Sequence, residues 1–319
     1  MPLLKQNPAQ TTDYSRIAQI SAIVAATDTR TFEAAERTAV GTTSNKIKIP
    51  MRDGFESEVL VFRSDDEGQL NQARPLVIML FGGGFVMGTM YQLASQSRAI
   101  AKVTGAVVAN ISYRVAPDFK FPTAPNDVWD TVQWLSKHAD HPIVRADLSA
   151  GFVIGGGSAG ANLTTTAVRR SLVEGLQPPI TGVWLCVPLI MADDDCVPER
   201  YKHLFLSREQ NSDAPYLKTG DMVHIKRLYA PNNDSPDWSV MRDMIYTGWP
   251  RTYFQVAGLD PLRDDGLIFQ KCLEDNGVET KIDVYPGMPH PLVGMIGTSQ
   301  ALKAGEDMLS GSKWLLRQS

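Results

Sequence analysis

The sequence predicts a doubly wound α/β fold with a mostly parallel central sheet and helices on both faces. Two observations carry this: short apolar runs recur along the chain, and helical patterns separate them. Residues 75–80, 106–111, 152–154, 183–189 and 253–257 are continuous or nearly continuous apolar runs, as strands buried on both faces require. Residues 281–285 form a shorter, alternating one. Between them, residues 93–103, 126–137, 159–173, 266–276 and 301–316 carry helical patterns. Strand and helix in alternation give parallel strands joined by crossover helices.

Ahead of this pattern, residues 12–40 place Ile17, Ile20, Ile23 and Val24 at helical spacing. Residues 46–49 and 58–62 alternate around the turn Met51-Arg52-Asp53-Gly54 and read as an antiparallel hairpin. One interval breaks the rhythm. Residues 191–248 separate two strands by far more than a crossover needs, and they contain a helix candidate at 220–229. The expectation is one domain over 1–319, with a cap built from about 1–43 and the insertion at about 191–248. Such a cap would roof the carboxyl ends of the strands, where open α/β sheets bind ligands.

Composition narrows the function classes. The chain has 319 residues, 43% apolar and 21% charged, with a formal net charge of −4. Acidic and basic residues are mixed throughout, so no basic face for nucleic acid is expected. No stretch approaches the roughly 20 apolar residues of a membrane span. Residues 1–10 hold one lysine and no apolar run, so no secretory leader is expected and a cytoplasmic location is the default. Three cysteines, Cys186, Cys196 and Cys272, lack metal-ligand spacing and argue against both a disulfide framework and a zinc site. Asp193-Asp194-Asp195 reads as a solvated acidic loop. No metal and no organic cofactor is expected.

The strand ending at Ile154 runs into Gly155-Gly156-Gly157-Ser158-Ala159-Gly160, followed directly by a helix. This is G-x-S-x-G in the strand–turn–helix context that exposes a nucleophilic serine. A serine on so sharp a turn needs neighbours without Cβ at two residues either side, and the helix N-terminus behind it favours developing negative charge. A dinucleotide loop at Gly155, Gly157 and Gly160 is the rival reading. It suits a motif early in the fold with an acidic residue ending the next strand; here the loop lies mid-chain and that strand ends in Cys186-Val187-Pro188.

Earlier, Gly82-Gly83-Gly84 follow a buried strand with Phe81 and Phe85 on either side. Three glycines hemmed by apolar residues are unlike a solvated linker; bare backbone N–H groups that approach a ligand oxygen explain them better. Of the five histidines, only His290 lies in a loop after the last strand, stiffened by Pro289 and Pro291, which suits a general base. Asp260 sits at the carboxyl end of the preceding strand, before Pro261. Asp264 and Asp265 fall at the start of the next helix, where capping and dipole roles suffice. Serine, aspartate and histidine thus follow one another in chain order at successive strand ends.

With these residues the chain resembles the hormone-sensitive-lipase-like family of α/β-hydrolases. The resemblance runs from about residue 75 to the C-terminus. It includes Phe81 to Gly84, Tyr113-Arg114-Val115-Ala116-Pro117 with Phe121-Pro122, Gly156 to Gly160, Asp260 to Asp264 and the His290 loop. It implies an α/β-hydrolase fold with a helical cap, and oxyanion donors from the backbones of Gly83, Gly84 and Ala159. The departure is Phe81, where the family usually has a histidine that organises the loop. The expected activity is serine hydrolysis of a small apolar ester or lactone through Ser158, His290 and Asp260. Phe85, Met87 and Tyr91 are candidates for the substrate pocket. Acyl transfer by the same residues is one alternative, a non-catalytic small-molecule receptor another, and a homodimer is allowed for.

Overall fold

In a computed structural model, which describes residues 8–66, 73–292 and 298–318, the predicted alternation closes into one eight-stranded sheet. Helix α1 (Pro8–Glu36) precedes the hairpin β1 (Thr42–Pro50) and β2 (Glu56–Ser64). Then come β3 (Leu76–Leu80), α2 (Ala94–Thr104), β4 (Val107–Ile111), α3 (Thr123–Lys137), β5 (Phe152–Gly157), α4 (Ala159–Glu174) and β6 (Gly182–Cys186). After the insertion, with α5 (Ser207–Gln210) and α6 (Thr219–Tyr229), follow β7 (Arg251–Leu259), α7 (Arg263–Asp275), β8 (Thr280–Pro289) and α8 (Ser299–Leu315).

The sheet order is β1-β2-β4-β3-β5-β6-β7-β8. The hairpin pairs antiparallel with itself and with β4; from β4 to β8 every pairing is parallel. The chain enters the parallel region at β3, steps to β4 on one side, then crosses to β5 on the other. Strand order therefore reverses between β3 and β5, and a crevice opens at their carboxyl ends. Leu80 pairs with Gly156, so the glycine loop and the Ser158 turn leave the sheet side by side.

Alternate residues of each strand feed two cores. Leu76, Ile78 and Leu80 face Val128, Trp129, Leu163, Val168 and Phe269 of α3, α4 and α7. Val77 and Met79 face Ile100, Ala101, Met308 and Leu315 of α2 and α8. Helices thus cover both faces, as parallel strands require.

Two strand ends differ from the sequence reading. β5 continues through Gly155 to Gly157, residues that read as a turn. A Cβ on Gly155 would lie 2.7 Å from the Cβ of Trp184; the tryptophan fills the space above bare backbone, and the ladder goes on. β6 stops at Cys186, short of the apolar run's end, because Val187 takes a φ of 41° and Pro188 follows.

The insertion leans on the glycine loop. Tyr229, at the end of α6, stacks on Phe85 with ring centroids 4.2 Å apart, and its carbonyl accepts the Phe121 N–H at 3.0 Å. From the other side Phe32 of α1 stacks on Tyr91 at 4.7 Å, while Asp28 accepts the Thr89 hydroxyl at 2.9 Å. Asp194 and Asp195 of the acidic run are exposed, as expected, while Asp193 is half-buried and pairs with Lys226 of α6; Asp195 also pairs with Arg242, so the run ties the insertion to itself. The three cysteines are free and buried. Among the described residues, no helix is long and apolar enough to cross a membrane.

Candidate active site

Ser158 stands between β5 and α4 with φ 54° and ψ −117°. A non-glycine residue at positive φ is strained and persists only where the surroundings enforce it. They do so here. A Cβ on Gly156 would lie 2.6 Å from the Gly160 carbonyl carbon and 2.9 Å from the Leu80 oxygen. The Ser158 N–H donates to the Cys186 carbonyl at 2.9 Å, which pins the turn to β6. Burial against that turn pushes the Cys186 thiol well above its ordinary pKa and keeps it protonated.

His290 follows β8. Its Nε2 lies 2.8 Å from Ser158 Oγ and its Nδ1 lies 2.8 Å from Asp260 Oδ2. Asp260 is fully buried, and its other oxygen accepts the Leu262 N–H at 2.9 Å. With Nδ1–H donating to Asp260, Nε2 is left to accept the serine hydroxyl proton. The structure thus brings the three residues into one hydrogen-bonded relay, with the geometry of a nucleophile, its base and an orienting carboxylate.

The glycine loop lies against this relay. A Cβ on Gly82 would stand 2.9 Å from the Gly157 oxygen and 3.4 Å from the Ser158 Cβ. Gly83 and Gly84 have φ 129° and 63°, and the Gly83 carbonyl accepts the N–H groups of Val86 and Met87 at 3.1 Å. Among the described residues, the Gly83 and Gly84 N–H groups donate to no protein acceptor. Ala159 opens α4, so its N–H has no partner within the helix. Three amides beside the serine are therefore available to an oxygen.

Phe81 stacks on Tyr113, centroids 4.0 Å apart and planes 6° from parallel, and the Tyr113 hydroxyl donates to the Phe81 carbonyl at 2.7 Å. Arg114 grips buried Asp127 with two bonds of 2.9 and 2.6 Å, and this carboxylate raises the arginine's already high pKa. Of the pocket candidates, Phe85 is wholly buried against Tyr229 and Trp238. Met87 and Tyr91 are half-buried beside the loop.

Asp264 and Asp265 do more than the capping read from sequence. Asp264 Oδ2 accepts the N–H groups of Leu206 and Ser207, both at 2.7 Å. Asp265 Oδ1 accepts those of Ile190 and Met191, both at 2.9 Å, and Oδ2 lies 2.9 Å from Arg208. Burial pushes the Asp265 pKa up to about 6, with Arg208 opposing the rise. These carboxylates fasten the insertion to the start of α7, just after Asp260. Asn211, from the insertion, donates to the Asp260 carbonyl at 2.9 Å. Neither Asn211 nor Gln92, which bonds Gly82, carries any sequence signal of such a role, since both partners are backbone atoms.

A profile of the alpha/beta hydrolase fold family matches residues 77–293, and the chain belongs to that family. An AB hydrolase superfamily protein of Schizosaccharomyces pombe is 30% identical, with 98% of this chain and 92% of that protein covered. A versiconal hemiacetal acetate esterase of Dothistroma septosporum is 29% identical over 84% of each chain. Among solved structures, a vibralactone cyclase superposes with a TM-score of 0.84 at 25% identity, covering 99% of this chain and 91% of the other.

Proposed function

We propose that the protein hydrolyses carboxylic esters or lactones of small apolar molecules through an acyl-enzyme on Ser158. The observation that carries this is the unbroken relay from Ser158 through His290 to Asp260, set beside three unengaged amides. As His290 Nε2 takes the hydroxyl proton, Ser158 Oγ bonds to the carbonyl carbon. The Gly83, Gly84 and Ala159 N–H groups meet the oxyanion that develops. Asp260 holds the imidazole in the required tautomer and stabilises the imidazolium. Collapse of the tetrahedral adduct breaks the ester C–O bond, and His290 returns its proton to the leaving alcohol. Water then repeats the sequence, releasing the acid and restoring the serine.

Residues of about 1–43 and 191–248 act as the cap, and Met87 and Tyr91 border the substrate. The relative named for an acetate ester makes a short acyl group a sound first substrate. A second reading is acyl transfer to a hydroxyl of the same substrate in place of water. The fold it shares with a protein named a cyclase favours this reading. Hydrolysis of p-nitrophenyl esters of increasing acyl length, wild type beside Ser158→Ala, tests the proposal. Serine-dependent turnover with a preferred length supports hydrolysis. Turnover retained in Ser158→Ala refutes it. Fluorophosphonate labelling of Ser158 without ester turnover favours the second reading.

A further inference from the structure

We infer that Gln92 is a positioning residue of the glycine loop: its carboxamide grips Gly82 on both sides and so fixes where the Gly83 N–H points. The inference rests on the reading of Gly83 as an oxyanion donor. The Gly82 N–H donates to Gln92 Oε1 at 2.8 Å, and Gln92 Nε2 donates to the Gly82 carbonyl at 3.5 Å. One side chain therefore engages two successive peptide units.

The second engagement is the consequential one. A trans peptide is rigid and planar, so the Gly82 C=O and the Gly83 N–H are opposite ends of a single unit. The 3.5 Å contact is long, so it biases the direction of the amide end rather than polarising it, while the 2.8 Å bond at the Gly82 N–H anchors the peptide unit before it. The next unit is held in the same sense by backbone alone, because the Gly83 carbonyl accepts from Val86 and Met87. The preceding unit is held by the Tyr113 hydroxyl on the Phe81 carbonyl. Phe81 itself brings no side-chain hydrogen bond to the loop. Among the described residues, Gln92 is the side chain that bonds to Gly82. Gly82 is buried, so without Gln92 its N–H would lose its partner, and glycines at 82, 83 and 84 put up little steric resistance to rotation of the freed peptide.

Gln92 is also well placed to act in this way without being needed for the core. Its side chain is exposed, it lies just ahead of α2, and its own N–H donates to the Thr89 carbonyl at 3.1 Å. A role confined to folding would show as lost stability. A positioning role would show as lost rate of the fully folded protein at unchanged substrate affinity.

The experiment compares wild type, Gln92→Leu and Gln92→Ala by three readouts. These are the thermal midpoint, kcat and KM for p-nitrophenyl acetate, and the second-order rate of Ser158 labelling by a fluorophosphonate, whose phosphonyl oxygen uses the same amides. The expected result in both variants is a fall in kcat and in labelling rate of about tenfold or more, at unchanged KM and measured well below the midpoint, which drops by a few degrees as the Gly82 N–H loses its partner. A labelling rate within twofold of wild type overturns the inference. So does a rise in KM at unchanged kcat, which would make Gln92 a substrate contact. If wild type labels but does not turn over esters, the ester reading fails while the labelling rates still decide the role of Gln92. If wild type does not label, Ser158 is not the reacting group and the inference falls with it.

Discussion

Ile225 of α6 rests directly on Gly84: a Cβ built on the glycine would stand 2.8 Å from Ile225 Cδ1. The insertion therefore meets the loop at one of the residues proposed to bind the oxyanion. Ile225→Ala should open space above that amide and shift preference towards longer acyl chains. The ratio of kcat/KM for octanoate over acetate should rise about tenfold, the lower end of what one methylene decides in an apolar pocket. An unchanged ratio would mean that the acyl chain leaves by another route. Gly84→Ala should lower activity in either background, since φ 63° is strained for alanine whatever the space.

Asp260→Asn should keep the fold and lose about 10⁴-fold in kcat, because an amide cannot hold His290 in the tautomer that accepts the serine proton. Steady-state kinetics with a short p-nitrophenyl ester gives the number. A loss below tenfold would remove Asp260 from the relay despite its 2.8 Å contact.

Asp265 makes stability depend on pH in a defined direction. Its folded pKa, raised by burial to about 6, exceeds that of an unfolded aspartate near 4. Between these values the folded state alone holds the proton. The stability that this group contributes is fully present below about pH 4 and lost as pH rises through about 6. Denaturant titrations of wild type and Asp265→Asn at several pH values isolate the effect. The wild type should lose on the order of 3 kcal/mol relative to the variant from about pH 3 to pH 7. Parallel pH profiles for the two proteins would contradict the assignment.

Arg114→Ala should destabilise the protein by about 3 kcal/mol or more, because it strands the Asp127 carboxylate, whose side chain is 1% exposed. Arg114→Lys should recover only part of this, since an ammonium cannot reproduce the two-pronged contact. The specific activity of the folded fraction should stay near wild type in both, checked by urea midpoints alongside ester hydrolysis. A large fall in kcat at unchanged midpoint would instead point to substrate contact.

The sheet and its helices were legible because each run had the right length and period for its burial. The Ser158 turn was legible because only glycine fits around it, and Asp260 and His290 because each stands at a strand end. What stayed hidden depends on contacts across the fold. The continuation of β5 through three glycines needs Trp184 overhead, and the early stop of β6 needs the backbone of Val187. Asp264 and Asp265 looked like helix-start acids, a sufficient local explanation; their partners are amides some 55 to 75 residues away in the chain. Gln92 was invisible for the same reason, since its bonds are to a glycine's backbone. Phe85 was read as pocket-lining, yet it is fully buried, stacked on Tyr229 and packed against Trp238.

Ser158 leaves the sheet from β5, flanked by β3 and β6, whereas His290 leaves from β8, which closes the strand order. The members of the relay therefore do not share one mechanical fate. A strand bonded on one side only has fewer ladder bonds to break than those inside the sheet, and local opening of β8 would withdraw the imidazole while the serine and the loop amides keep their register. On warming, this protein should fall silent before it melts and recover on cooling, its thermal limit set by the fraying of one edge.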